Sequence, residues 1–218
     1  MDISEIKVSL NSSNSQDRLK ALTALREYEP DVVVPLLKSK LRDPEFLVRS
    51  FVAMGLGRKQ RADAFEALID MVKKDGDYNV RAEAANSLSL YGQAAIPYLV
   101  EAFRANDHWL IRRSIIAALT ELSDPEALFE VTLIALNDQD LTVQESGIDC
   151  LGFLSSSSKS AEALQQLLLR VNADWWRVRL RVAKALRSFD APEAKVALQQ
   201  LRQDEDHRVV GAAMEALL

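Results

Sequence analysis

The chain has few of the residues that most site chemistry needs. It contains one cysteine, Cys150, so no intrachain disulfide can form and no cysteine-based zinc cluster can assemble within it. Two histidines, His108 and His207, stand alone, and no metal is expected. No glycine-rich phosphate loop is present, and no serine has a matched histidine and acid. The longest apolar run, VTLIAL at 131–136, is far below the roughly 20 residues of a membrane span. The amino terminus lacks the basic-then-apolar pattern of a secretion signal, so the expected location is the cytoplasm, without membrane insertion. A positive excess is missing too. The formal net charge of −5 is the wrong sign for a general nucleic-acid binder and favours a protein partner.

What is present is a repeat. The leucines Leu25, Leu56, Leu88, Leu119, Leu151, Leu186 and Leu217 recur at spacings of 31, 32, 31, 32, 35 and 31 residues. Before each sits a small residue, Ala24, Gly55, Ser87, Ala118, Cys150, Ala185 or Ala216, which would let a neighbouring helix come close. In that slot Cys150 reads as a buried structural thiol rather than a nucleophile. Seven positions before the leucine stand Arg18, Arg49, Arg81, Arg112, Gln144, Arg179 and Val210. Asp43, Asp75, Asp107, Asp138 and Asp174 lie five or six residues upstream of that slot. Together they predict an acid–base ladder along stacked turns, with exposed pairs worth about 0–1 kcal/mol each.

The apolar period is helical throughout, as in Val48, Phe51, Val52 and Leu56. A second apolar-faced segment follows in each unit, for example VVVPLLKSKL at 32–41, AFEALIDMV at 64–72, AIPYLVEAF at 95–103 and LFEVTLIAL at 128–136. Turn signals at Glu29-Pro30, Gly57, Gly92, Asp124-Pro125, Ser155 to Ser158 and Ala191-Pro192 separate the pairs. A two-helix unit cannot bury its apolar face alone. The expectation is therefore an all-α chain, a right-handed α-solenoid of about six to seven two-helix repeats. One domain spans 1–218, with an N-terminal capping helix within 1–13 and a C-terminal one within 204–218.

The stretch DWWRVRL at 174–180 is the most conspicuous. Trp176 belongs to a slot holding Ser15, Phe46, Tyr78, Trp109, Leu141, Trp176 and His207, read as bulky side chains that staple each loop onto its hairpin. One position earlier the slot reads Asn14, Glu45, Asp77, His108, Asp140, Trp175 and Asp206, residues suited to helix caps. Trp175 breaks that rule and is predicted to be at least half exposed, an interface anchor, or else folded back against Arg170 or the preceding helix; His108 holds the same slot two units earlier. Residues 170–187 carry six basic side chains against one acid. Arg177, Arg181 and Lys184 share one helix face, and Arg208 fills the slot of Arg177 in the next unit. A solvated face balanced by acids elsewhere is the plain reading. An acidic protein surface or a carboxylate-bearing aromatic ligand is the functional one.

The units DYNVRAEAANSL (77–88), DHWLIRRSIIAAL (107–119) and DWWRVRLRVAKAL (174–186) resemble the HEAT-like repeats of the phycobilisome-lyase type. That resemblance implies binding of a phycobiliprotein subunit, or of another HEAT-like subunit, in bilin attachment or removal or in phycobilisome degradation. A bilin would be a transient ligand with no resident cofactor. If there is an activity, it is that of a bilin lyase or lyase subunit, with the substrate's own cysteine accepting the chromophore. No catalytic residues are carried over. Trp175, Arg177, Arg181, Lys184, Arg208 and His108 are the candidate contacts. A general adaptor without a pigment role is the alternative. More remote is a protein like the DNA alkylation-repair glycosylases, which the charge disfavours.

Overall fold

The computed structural model describes residues 1–215, so the seventh repeat leucine, Leu217, and its neighbour Ala216 lie outside the described residues. Unit 1, Met1–Leu122, carries α1 (Ile3–Leu10), α2 (Ser15–Ala24), α3 (Pro30–Lys38), α4 (Phe46–Lys59), α5 (Ala62–Lys74), α6 (Tyr78–Ser89), α7 (Ile96–Ala105) and α8 (Trp109–Leu122). Unit 2, Ser123–Leu218, carries α9 (Pro125–Ala135), α10 (Leu141–Phe153), α11 (Ser160–Leu168), α12 (Trp176–Leu186), α13 (Pro192–Leu201) and α14 (His207–Met214). Among the described residues there is no strand. The fold is an all-α solenoid of two-helix repeats. Within unit 1 the even-numbered helices stack α2 on α4 on α6 on α8, and within unit 2 α10 on α12 on α14.

Local sequence explains the elements. Asp2 and Glu5 form a reciprocal capping box that starts α1. Asp77 and Asp140 each accept two backbone N–H groups at the starts of α6 and α10, and Asp206 accepts one at α14. Proline at the first position opens α3, α9 and α13. On α5 the buried residues Ala64, Leu68, Met71 and Val72 recur at helical spacing. The repeat leucines Leu56, Leu88, Leu119, Leu151 and Leu186 are fully buried. Cys150 is buried in its small slot.

Gly57 is not a turn. α4 runs through it to Lys59, and Gln60 supplies the left-handed residue that ends the helix, with φ of 48°. A Cβ at Gly57 would lie 2.8 Å from the backbone oxygen of Ser87, so the glycine admits α6 rather than ending α4. Gly152 does the same for Ala185 of α12, where a Cβ would stand 3.3 Å from the Cα. The small residue before each of these leucines thus meets the position just after the preceding repeat's leucine.

The acid–base ladder exists in a different register. Three of the arginines reach forward to an aspartate in the next repeat's loop: Arg18 to Asp43 at 2.8 Å, Arg49 to Asp75 at 2.8 Å and Arg179 to Asp204 at 2.7 Å. Arg81 pairs with Asn106 rather than with an aspartate. Asp107 and Asp174, named by spacing, are exposed. The pairs are not surface pairs either, since the Arg179 and Asp204 side chains are 9% and 6% exposed. The reason is directional. Arg49 uses Nη1 for the carbonyls of its own loop, Asp43 and Pro44, which leaves Nε and Nη2 to grip the next carboxylate. That carboxylate also accepts the N–H two residues on, as Asp75 does from Asp77 and Asp204 from Asp206.

Arg179 holds the Asp204 carboxyl below the usual aspartate range. Such a group contributes stability above its unfolded pKa of about 3.9, and that stability is lost as pH falls through the lower folded value. The melting temperature of the wild type is expected to fall more steeply than that of Asp204→Asn as the pH drops below about 4. Parallel curves would remove Asp204 from the acid response.

Candidate partner-binding surfaces

The bulky slot is a surface feature. Phe46, Tyr78 and Trp109, at the first positions of α4, α6 and α8, are 42%, 48% and 41% exposed, so the staple expectation is overturned. Helix geometry gives the cause. Two residues further on, Val48, Val80 and Ile111 are fully buried. Two residues correspond to about 200° around a helix, which turns the bulky side chain away from the core. Tyr78 stacks on His108 with ring centroids 3.7 Å apart and planes 14° from parallel, and the Trp109 ring lies 5.9 Å beyond. The His108 Nδ1 accepts the Leu110 N–H at 3.3 Å, so this histidine caps α8 as well as joining the row. Arg113 lies over the Trp109 face at 5.9 Å. Unit 1 therefore presents a rigid aromatic strip whose members come from successive stacked helices.

In unit 2 the same slot holds Leu141, exposed, and Trp176, partly covered. The Arg208 guanidinium lies 3.3 Å from the centroid of the Trp176 ring and is held there by Asp206 at 2.6 Å. Arg177 sits 5.4 Å from the Trp176 ring and 5.6 Å from that of Trp175. Trp175 is also partly covered, so the expectation that it is at least half exposed fails. Both tryptophans are stacked with arginine, and only part of each remains for a partner.

Most of the basic excess at 170–187 is neutralised by acids from neighbouring repeats. Arg181 bridges Glu145 at 2.9 Å and Asp149 at 2.6 Å, both on α10. Arg177 lies 3.6 Å from Glu145, and Arg187 pairs with Glu215 at 2.6 Å. Burial pushes the Asp149 carboxyl up, and Arg181 pulls it down. Charge counting along one segment could not find Glu145 and Asp149, which come from some thirty residues upstream. Arg177 and Lys184 remain exposed. The structure thus brings Trp175, Arg177, Arg181, Lys184 and Arg208 onto α12 and α14, while His108 belongs to the strip of unit 1.

Among the described residues no group of three or more His, Cys, Asp or Glu side chains is placed to hold a metal ion. No described helix is long and apolar enough to cross a membrane. The surfaces offer aromatic faces and paired charges, the chemistry of association.

Solved structures share the fold. Escherichia coli YibA superposes with a TM-score of 0.63 at 15% identity, over 100% of this chain and 92% of that one. In the complex of CpcE and CpcF of phycocyanin lyase from Nostoc sp. PCC7120, the TM-score is 0.55 at 18% identity, over 100% of this chain and 95% of that one. Yeast Kap95p, solved bound to RanGDP, gives 0.65 at 16% identity, over 98% of this chain and 35% of that longer one. No curated protein sequence matches the chain. The family model for HEAT repeats matches residues 5–88, 34–120 and 129–218. With that model covering most of its length, and with arginine ladders and close-packed small slots joining one helical pair to the next, the chain belongs to the HEAT-repeat family, a scaffold suited to protein binding.

Proposed function

We propose that this chain is a cytoplasmic HEAT-repeat scaffold that binds phycobiliproteins and acts in bilin attachment or removal, or in phycobilisome breakdown. The exposed Phe46, Tyr78 and Trp109, with the partly covered His108 stacked on Tyr78, carry the protein-binding part of this reading. Rigid aromatic side chains lose little conformational freedom on binding and bury large areas, which is why they dominate interface energetics. The pigment part rests on the resemblance of the aspartate–bulky–valine–arginine units to phycobilisome-lyase repeats, and the shared fold with a chain of the phycocyanin lyase complex agrees with it. A bilin is a passing ligand here, with no resident cofactor. Its propionates would meet Arg177 and Lys184, which stay exposed, beside Trp175 and the Trp176–Arg208 stack, with Arg181 held in place by its two acids.

Titration of the chain with a phycocyanin subunit, in apo and bilin-bearing forms, tests the reading. Saturable binding is expected, and Trp109→Ala should weaken it about 30-fold, the equivalent of about 2 kcal/mol. An unchanged affinity would remove the strip from the interface. Failure of both forms to bind would favour the second reading, a general adaptor with no pigment role, for which the same strip would serve.

A further inference from the structure

We propose that a recess between α2, α3 and α4 in unit 1 is a binding site for a small carboxylate with an apolar body about the size of one ring. The recess has a volume of about 130 Å³. Its walls are Leu22 and Leu25 from the end of α2 and the turn after it, Val33 and Leu37 from α3, and Phe51 and Met54 from α4. Apolar cavities of about 150 Å³ hold a benzene molecule, so a phenyl group or a short branched chain matches the space. Gly55 forms part of the lining. A Cβ there would stand 2.8 Å from the Leu37 Cδ1, and among the seven equivalent slots only this one is glycine. The missing side chain lets Leu37 of α3 close onto α4, where it forms one wall of the recess.

The mouth is cationic. Arg26, Arg58 and Lys59 border it, and no carboxylate lines it. Lys59 is already used, since its Nζ donates to the carbonyls of Arg26 at 2.9 Å and Tyr28 at 2.6 Å and so ties down the turn that carries Arg26. The guanidiniums of Arg26 and Arg58 are exposed and make no hydrogen bond or ion pair among the described residues. Burial pushes the Glu83 carboxyl up, and the charge of Arg58 pulls it down. Two open guanidiniums above an apolar recess match a carboxylate joined to an apolar body. Arginine forks bind carboxylates, and ligand pockets combine apolar walls with a few placed polar groups. This site is independent of the aromatic strip.

The test uses the full chain and 3-phenylpropionate, with 3-phenylpropanamide as the neutral control, followed by methyl NMR. The acid is expected to bind at least about tenfold more tightly than the amide, with shifts centred on Leu22, Val33 and Leu37. Arg26→Gln combined with Arg58→Gln should erase that preference without moving the melt, because both side chains are exposed. A peptide ending in phenylalanine with a free carboxylate, compared with its amide, separates the sources. Tighter binding of the peptide acid than of 3-phenylpropionate assigns the site to a partner's C-terminus, and the reverse assigns it to a free small molecule. Equal binding of acid and amide, shifts elsewhere, or a preference that survives the double substitution would overturn the proposal.

Discussion

Arg179→Met is expected to destabilise the fold by about 3–5 kcal/mol, the cost of leaving one member of a buried ion pair without its partner. Arg179 donates to both oxygens of Asp204, at 2.7 and 2.9 Å, and Nη1 donates to the carbonyls of Ala173 and Asp174. One side chain thus ties the loop before α12 to the loop before α14. Removing the guanidinium strands a carboxylate that is 6% exposed, and it leaves two carbonyls without their donor. Adding Asp204→Leu to the same chain should recover most of the loss, because a buried pair replaced by apolar groups is close to neutral. Urea unfolding of wild type, single and double variants measures this. A single variant within about 1 kcal/mol of wild type would place the pair among the weak surface contacts that the repeat spacing alone had predicted.

Leu119→Ala should cost about 2–5 kcal/mol, the combined loss of apolar transfer and the cavity left behind. Leu119 is fully buried on α8, which packs on α6 and α7, and its neighbours Ile111 and Ile115 are fully buried as well. Such a neighbourhood, built from three helices, cannot collapse easily into the space. Ala117, two positions away, is exposed, so Ala117→Ser is the control and should leave the midpoint within about 0.5 kcal/mol. A lower denaturant midpoint at unchanged slope is the expected signature. If Leu119→Ala melts like the wild type, the register of leucines that defines the repeat is wrong.

The candidate surfaces were partly legible in advance. The slot of Phe46, Tyr78 and Trp109 is visible in the sequence as a row of bulky residues, and its outward face follows from the buried Val48, Val80 and Ile111 two positions on. Trp175 stood out by breaking a polar slot, and its partial cover by Arg177 was not readable, because stacking depends on the rotamer each side chain adopts. Nor could the recess above Gly55 be read, since it needs the spacing of three helices.

By itself, the sequence determined the all-α repeat, because a leucine every 31 to 35 residues with helical spacing between leaves no other way to bury the apolar faces. It also determined the close approach of neighbouring helices, since a residue as small as Ser87 or Ala185 leaves room only for another backbone. Only the tertiary structure decided the partners of the charges. Arg179 and Asp204 are 25 residues apart, and Arg181 and Glu145 are 36 apart, separations at which a linear pattern holds no distance information. A charge finds the acid that stacking brings within about 3 Å, and stacking is set by the apolar core beneath it rather than by the charges themselves.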